Sequence, residues 1–161
     1  MTTEAEFIKI IKKNESLIYK ACYLYARGDR ELVRDLYQEA VCALWKSRWR
    51  FNHRSSEQTW IYRVTLNTVV SYLRHQKRNL IVPLADNVAD TLSLTDDEEL
   101  VERLYDLIGR LSAKDQKLVY LYLDGLSLPE IAKIIGLNYS NVGVRIHRIK
   151  EMLKTLNQNI N

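Results

Sequence analysis

Apolar residues recur at helical spacing along nearly the whole chain, and this periodicity restricts the fold more than any other feature. Such spacing places apolar side chains on one face of an α-helix. Only 5 Gly and 2 Pro interrupt the 161 residues. The sequence therefore predicts an all-α protein. The clearest apolar stripes are Ile18, Ala21, Cys22 and Tyr25, then Leu32, Val33, Leu36, Ala40, Val41 and Leu44.

Helix boundaries in the first half follow from breaks in this pattern. Gly28 and Asp29 separate the first predicted helix from the second, and Asp29 is the expected N-cap of the second. Residues 52–56 form a polar gap, after which a third long helix runs to His75-Gln76-Lys77-Arg78. The predicted inner stripe of this third helix is Trp60, Val64, Asn67 and Leu73.

The periodicity lapses over residues 80–95, around Pro83 and two aspartates. We predict two small helical domains, residues 1–79 and 98–161, joined by a linker over 80–97. The sequence Thr95-Asp96-Asp97-Glu98 is a capping box that starts the next helix, and Ser112 is the expected cap of the one after it, which stops at Gly125. The buried face predicted for the helix that starts at this capping box is Leu100, Leu104, Leu107, Ile108 and Leu111.

Charge divides the chain into three parts. Residues 1–79 hold 15 basic and 8 acidic residues, residues 80–109 hold 1 and 8, and residues 110–161 hold 8 and 4. Two basic blocks around an acidic segment suggest two surfaces that bind polyanions, although solvated helix faces would carry similar charge.

Several classes of site and location are not indicated. Cys22 and Cys42 lack Cys-x-x-Cys spacing and the histidines are not clustered, so no disulfide framework, metal site or cofactor is expected, and both cysteines are predicted to be core residues. No apolar run approaches the roughly 20 residues of a membrane span, and acidic residues precede basic ones at the N-terminus. We therefore predict a cytoplasmic protein without membrane insertion.

The C-terminal part has the spacing and residue types of a helix-turn-helix. Ser127-Leu128-Pro129-Glu130 is a capping box with Pro in the first turn, Gly136 permits a tight turn that Leu137 closes, and Asn138 is placed to cap the second helix. The alternative is a helical hairpin that packs on another protein. The residues expected to face inward are Ile131, Ala132, Ile135, Val142, Ile146, Ile149 and Leu153.

In a helix-turn-helix, the N-terminal part of the second helix enters the major groove of DNA. Asn pairs well with adenine and Arg with guanine, and basic side chains also bind phosphates. The predicted DNA-binding residues of this helix are Tyr139, Ser140, Asn141, Val144, Arg145, Arg148 and Lys150.

Aromatic and basic residues alternate in the N-terminal half. Aromatic rings among cations suit unstacked bases and their phosphates, because every base offers a face for stacking. We expect Trp45 and Trp60 to be mainly structural. The aromatic members are Trp45, Trp49, Phe51, Trp60, Tyr62 and Tyr72, and the basic ones are Arg48, Arg50, Arg54, Arg63, Arg74, Lys77 and Arg78.

Nearly the whole chain resembles the extracytoplasmic-function sigma factors, which have only the second and fourth sigma regions. Asp35-Leu36-Tyr37-Gln38-Glu39 with Leu44-Trp45 is similar to the region-two helix that binds the clamp coiled coil of RNA polymerase. The resemblance implies that Asp35, Gln38 and Glu39 bind polymerase. Residues 51–56, with 59–63 and Asn67, are similar to the loop and helix that open the minus-10 element.

The resemblance also implies how the chain binds promoter DNA. A loop pocket would capture a flipped base, and the following helix would track the displaced strand. The pocket residues are Phe51, Asn52, His53, Arg54 and Ser55, and the strand-tracking residues are Arg63, Asn67, Arg74, Lys77 and Arg78. Residues 111–153 resemble region four, which reads the minus-35 element and contacts the polymerase flap. The acidic linker is similar to the family's connector, where it could mimic RNA or act only as a tether.

Two departures from the family pattern concern the DNA-binding parts. Gly143-Val144 stands where many relatives have a polar or basic pair, which leaves fewer direct base contacts and gives more weight to shape readout. Ser56-Glu57 stands where an apolar or aromatic residue is frequent.

The sequence thus predicts a non-enzymatic sigma factor whose partners are core RNA polymerase, promoter DNA and an anti-sigma factor. A conventional helix-turn-helix regulator is the alternative, but it leaves the Asp35–Glu39 helix and the aromatic loop unexplained. An enzyme acting on nucleic acid would need paired carboxylates, a Gly-rich phosphate loop or a nucleophile signature, and we find none. The three histidines, His53, His75 and His147, are scattered singly, and we expect each to be a surface or DNA-facing residue rather than a catalytic base.

Overall fold

The computed structural model describes residues 3–27, 29–79 and 96–160. These residues form helices without any strand, which confirms the all-α prediction. They fall into two compact units, one built chiefly on residues up to His75 and one chiefly on residues from Gln76. The helices are α1 (Glu4–Lys13), α2 (Glu15–Ala26), α3 (Arg30–Ser47), α4 (Glu57–Asn79), α5 (Asp96–Gly109), α6 (Ala113–Leu123), α7 (Leu128–Ile135) and α8 (Tyr139–Ile160), with a 3₁₀ turn at Arg48–Arg50.

The predicted linker lies mostly outside the described residues, and so does Thr95 of the predicted capping box. The domain bounds 1–79, 80–97 and 98–161 therefore stay predictions. Within the described residues, no helix is both long enough and apolar enough to cross a bilayer.

The core of the first unit is formed by α2, α3 and α4. Ile18, Leu36, Leu44 and Ile61 are all fully buried in one cluster. Burial of each such side chain stabilises the fold by about 1.5–3 kcal/mol. Asp29 caps α3 as predicted, since its carboxylate accepts hydrogen bonds from the backbone N–H groups of Glu31 and Leu32, at 3.1 and 3.2 Å.

The first predicted helix is in fact two helices, α1 and α2, that are separated at Asn14. The backbone N–H of Asn14 donates to the carbonyls of Ile10 and Ile11, both at 3.1 Å. Its side-chain Nδ2 donates to the carbonyl of Ile10 and to Oε1 of Glu57, both at 2.8 Å. Asn14 is only 4% exposed, and a buried amide requires such partners. The apolar periodicity does not predict this break, because the break depends on the contact between Asn14 and Glu57 of α4.

The inner stripe predicted for α4 is displaced. Trp60, Val64 and Leu73 are half-buried against the core, and Asn67 is exposed. The prediction followed one edge of a broad buried face and included a polar residue that points to solvent. The residues at the centre of that face are Ile61, Tyr62, Thr65, Leu66, Val69 and Val70.

The buried face predicted for α5 is only partly correct. Leu107 and Leu111 are buried and Ile108 is half-buried, whereas Leu100 is 63% exposed and Leu104 is 37% exposed. The apolar spacing of α5 therefore continues into its N-terminal part, where the side chains are not buried.

The caps around α6 and α7 are confirmed. Ser112 Oγ accepts a hydrogen bond from the Asp115 backbone N–H at 3.2 Å, and α6 ends before Gly125, whose φ is +85°. The Ser127 N–H donates to Glu130 Oε2 at 2.7 Å, while the Glu130 N–H donates back to Ser127 Oγ at 3.4 Å. These reciprocal bonds form the predicted capping box.

The turn between α7 and α8 has the geometry of the predicted helix-turn-helix. Gly136 has φ +79°, a left-handed conformation that favours glycine, and Asn138 Oδ1 accepts a hydrogen bond from the Ser140 N–H at 3.1 Å. Ile135, Leu137 and Leu153 are half-buried. The fully buried predicted positions are Ile131, Ala132, Val142, Ile146 and Ile149.

Candidate DNA-binding and polymerase-binding surfaces

The recognition helix α8 presents most of its predicted DNA-binding residues to solvent. Tyr139 and Val144 are each 57% exposed, and Ser140, Asn141 and Arg148 are exposed as well. Ser140, Val144 and Arg148 lie on the side away from the buried stripe, because helical positions repeat every 3.6 residues, whereas Tyr139 is the first residue of the helix. His147 shares this outer face and is exposed. This exposure agrees with the sequence-based expectation that His147 is a surface or DNA-facing residue.

Two predicted cations of α8 are braced within their own unit. Arg145 Nη2 pairs with Asp115 Oδ1 of α6 at 3.1 Å, and both side chains are two-thirds or more buried. Lys150 Nζ donates to Tyr122 Oη at 2.8 Å and lies 4.5 Å from the centroid of that ring. Helical spacing puts Arg145 and Lys150 at opposite edges of the outer face. They therefore fix α8 on α6 and add positive charge at the edges of its exposed face.

The loop before α4 is held by a stack of aromatic rings. The Phe51 ring lies 4.9 Å from that of Trp60, nearly parallel at 24°, and 4.5 Å from the His53 ring. The Arg54 N–H donates to Asn52 Oδ1 at 3.2 Å. His53 has φ +58°, a conformation that is uncommon for residues other than glycine. Predicted pocket residues 51–55 therefore form one short ordered loop, with 52–54 exposed and Phe51 and Ser55 half-buried.

The helix that follows this loop has a polar face. Ser56 Oγ accepts a hydrogen bond from the Thr59 N–H at 3.1 Å and so caps the start of α4. Arg63, Asn67 and Arg74 are exposed, and their spacing of four and seven residues aligns them on one side of α4. Lys77 and Arg78 continue the helix, but their side chains lie outside the described residues.

The outer face of α3 carries the predicted polymerase-binding residues. Asp35, Gln38 and Glu39 are exposed and follow helical spacing, opposite the buried stripe of α3. Cys42 is exposed on this same face, so the prediction that both cysteines are core residues is wrong for Cys42. The buried positions of α3 set the orientation of Cys42, and they outweigh the usual preference of cysteine for the interior. Cys22 is buried as predicted, and burial raises the pKa of its thiol to about 12.

Trp45 and Trp60 both pack against the core of the first unit, as predicted. Trp45 contacts Phe7 edge to face, with ring centroids 5.0 Å apart. The guanidinium of Arg48 lies 3.4 Å from the Trp45 ring centroid and 4.1 Å from that of Trp49. Trp49 is 54% exposed.

These surfaces define a class of protein. Helices α7 and α8 form a helix-turn-helix, a motif that places its second helix in the major groove of duplex DNA. The first unit carries an aromatic loop followed by a helix with exposed arginines. The chain thus has the fold of an all-helical DNA-binding protein.

Comparison with known proteins gives the family. The sigma-70 region 2 family matches residues 10–79, and the sigma-70 region 4 family matches residues 101–153. The chain is 23% identical over 155 residues to RNA polymerase sigma factor SigV of Bacillus subtilis (strain 168), covering 95% of this chain and 92% of SigV. It is 28% identical over 165 residues to ECF RNA polymerase sigma factor SigW of the same strain, covering 92% and 87%.

The fold agrees with this assignment. The chain matches the sigma factor RpoE from Bartonella quintana, solved in complex with the anti-sigma factor NepR, with a TM-score of 0.64 at 19% identity, over 95% of this chain and 97% of that one. The chain belongs to the sigma-70 family, as one of its extracytoplasmic-function RNA polymerase sigma factors. A conventional helix-turn-helix regulator is not favoured, because region 2 accounts for the half of the chain that a regulator leaves unexplained.

Proposed function

We propose that this sigma factor binds core RNA polymerase through the outer face of α3, reads the minus-35 element with α8, and captures an unpaired minus-10 base in the loop over residues 51–55. The observation that supports the proposal is that most of the predicted contact residues are exposed, on the sides of α3 and α8 away from their buried stripes and in the loop and helix α4. The chain acts through binding energy and performs no bond chemistry of its own.

The outer face of α3 is suited to a protein partner. Asp35 and Glu39 are one helical turn apart, and Gln38 lies between them. Exposed carboxylates attract a basic surface and give the complex its orientation. Because the opposite side of α3 is buried in the core, polymerase bound here would be rigidly connected to α4 and the loop.

The loop is pre-organised for base capture. Flipping a base out of the duplex costs a few kcal/mol of stacking, and contacts in a pocket offset that cost. The stack of Trp60, Phe51 and His53 holds the loop in place before DNA arrives. Ordering of the loop therefore adds little to the cost of opening. The side of α4 that carries Arg63, Asn67 and Arg74 would then track the displaced strand.

We also propose that an anti-sigma factor regulates the chain and that the protein acts in the cytoplasm, where polymerase and promoters are found. Support for the partner comes from RpoE, which was solved with the anti-sigma factor NepR. An anti-sigma factor would act by covering the α3 face or the DNA-binding surfaces until a signal releases it.

The first test is co-elution of the purified chain with core RNA polymerase on a sizing column. We expect wild type to co-elute and the double variant Gln38→Ala, Glu39→Ala to lose co-elution. Glu4→Ala, at an exposed position of α1, is the matched control and should co-elute like wild type. Failure of wild type to co-elute, together with tight binding of the chain alone to a palindromic duplex, would identify a conventional regulator instead.

The same mixture offers a second readout through Cys42. Because this thiol lies on the α3 face, bound polymerase should slow its alkylation by a maleimide, whereas Cys22 should stay unreactive in the folded chain. Equal labelling of Cys42 with and without polymerase would place the polymerase contact elsewhere, even if the proteins co-elute.

A further inference from the structure

Two series of side-chain contacts run from the core of the first unit to its surface. In the first, Phe7 contacts Trp45 at 5.0 Å, and Arg48 lies between the rings of Trp45 and Trp49 at 3.4 and 4.1 Å. In the second, the rings of Trp60, Phe51 and His53 follow one another at 4.9 and 4.5 Å. The second series ends in the loop already assigned to base capture. The first ends at Trp49, which no part of the proposed function uses.

Trp49 is fixed beside that loop. It lies in the 3₁₀ turn Arg48–Arg50, and the Phe51 N–H donates to the carbonyl of Arg48 at 3.3 Å, which closes the turn onto the start of the loop. Arg48 is itself held, since its Nη1 donates to the carbonyl of Trp45 at 2.5 Å. The guanidinium therefore fixes Trp49 from one side. The indole, 54% exposed, still offers a large area to a partner.

The surroundings of Trp49 favour a nucleic acid as that partner. Arg50, just before the loop, and Arg54, within it, are exposed, and no acidic residue occurs between Lys46 and Ser56. Surfaces that bind single strands combine aromatic rings, on which bases stack, with basic groups that contact phosphates. Trp49 and the arginines around it provide both. The rings of Tyr19 and Tyr23 on α2 are exposed like that of Trp49. Unlike Trp49, they stack on each other at 6.2 Å and do not adjoin the loop over residues 51–55.

We propose that Trp49 is a stacking platform for a second unpaired base of the opened strand, adjacent to the base captured by residues 51–55. The proposal rests on the proposed function and deepens it by adding a contact that depends on the aromatic face rather than on base identity. Stacking on Trp49 would hold the strand next to the pocket and so slow reclosure of the duplex.

The test uses holoenzyme and a fork-junction DNA whose unpaired strand is first selected by wild-type holoenzyme from a random-sequence library. Abasic nucleotides are then placed one at a time along that strand. We expect Trp49→Ala to weaken fork binding about 5- to 100-fold, the range for loss of one stacked base. One abasic position should weaken wild type similarly yet have no further effect in Trp49→Ala. Trp49→Phe should restore most of the affinity.

Controls separate the outcomes. Tyr23→Ala removes an equally exposed ring and should leave fork binding unchanged, and every variant is checked for thermal stability and for co-elution with core polymerase. If wild type binds the fork but Trp49→Ala loses no affinity, or loses it equally at every abasic position, the stacking proposal fails alone. Loss of polymerase co-elution in Trp49→Ala would assign the ring to a protein contact and also overturn it. If wild-type holoenzyme selects no fork, the proposed function fails as well.

Discussion

At the scale of single residues, two cations of α8 are held in place by side chains of α6, while other residues of α8 are exposed. Arg145 was predicted to contact bases or phosphates, and it is paired with Asp115. A partly buried ion pair of this kind fixes geometry, because the fork of the guanidinium matches a carboxylate. We therefore expect Asp115 to control how much of the charge of Arg145 is available to DNA.

Replacement of Asp115 tests this control. Asp115→Asn removes the charge and keeps the shape, so Arg145 should turn toward phosphates and tighten non-specific duplex binding. One added phosphate contact should steepen the dependence of log K on log salt by about 0.9. Discrimination between minus-35 sequences should fall, since a phosphate contact carries no base information. Fluorescence anisotropy of labelled duplexes across a salt series measures both quantities.

The matched control for this change is Glu102→Gln, which removes one exposed carboxylate from α5 without touching Arg145. It should leave the salt slope as in wild type. Weaker duplex binding by Asp115→Asn would contradict the expectation, because it would mean that Arg145 contacts DNA only while Asp115 holds it.

At the scale of secondary-structure elements, three helices of the first unit are joined at one buried amide. Asn14 ends α1, lies immediately before α2 and donates to Glu57 in the first turn of α4. Glu57 also pairs with Lys13 at 3.5 Å. This contact gives a structural role to Glu57, part of the Ser56-Glu57 pair that departs from the expected family pattern. It also fixes the first turn of α4, directly after the loop over residues 51–55.

Asn14→Ala should destabilise the chain by about 1–3 kcal/mol, because it removes two partly buried hydrogen bonds, one to the Ile10 carbonyl and one to the Glu57 carboxylate. Urea unfolding followed by circular dichroism measures the change in the free energy of unfolding. Ser16→Ala, at an exposed position of α2, is the control and should change it by less than about 0.5 kcal/mol. An Asn14→Ala variant as stable as this control would show that the junction does not depend on the amide.

At the scale of the whole molecule, charge is segregated along the chain. Residues 1–79 and 110–161 carry net positive charge, and residues 80–109 carry net negative charge. The first turn of α5 alone contains Asp96, Asp97, Glu98 and Glu99, all exposed. Carboxylates at a helix N-terminus stabilise the helix, and they also repel DNA phosphates.

Neutralisation of these four residues to Asn or Gln should raise non-specific duplex affinity several-fold at low salt. The gain should vanish as salt rises, because the screening length falls from about 30 Å at 0.01 M to about 8 Å at 0.15 M. The same variant should lose some stability of α5, by about 0.3–1 kcal/mol for each charge near the helix end. Affinity that is unchanged at every salt concentration would show that the acidic segment does not influence DNA binding.

Much of this protein could be read from its sequence. Residues three or four apart in the sequence predict most helix positions and the helix-turn-helix. The same local patterns predict the caps at Asp29, Ser112 and Ser127. The tertiary structure alone decided that α1 ends at Asn14, that Cys42 faces outward and that Asp115 holds Arg145. The partner of Asn14 is 43 residues away in the sequence, and that of Arg145 is 30 residues away. The position of Cys42 depends on which side of α3 packs against the core. Local spacing predicts which face a residue shares, but it does not say which distant side chain will meet that face.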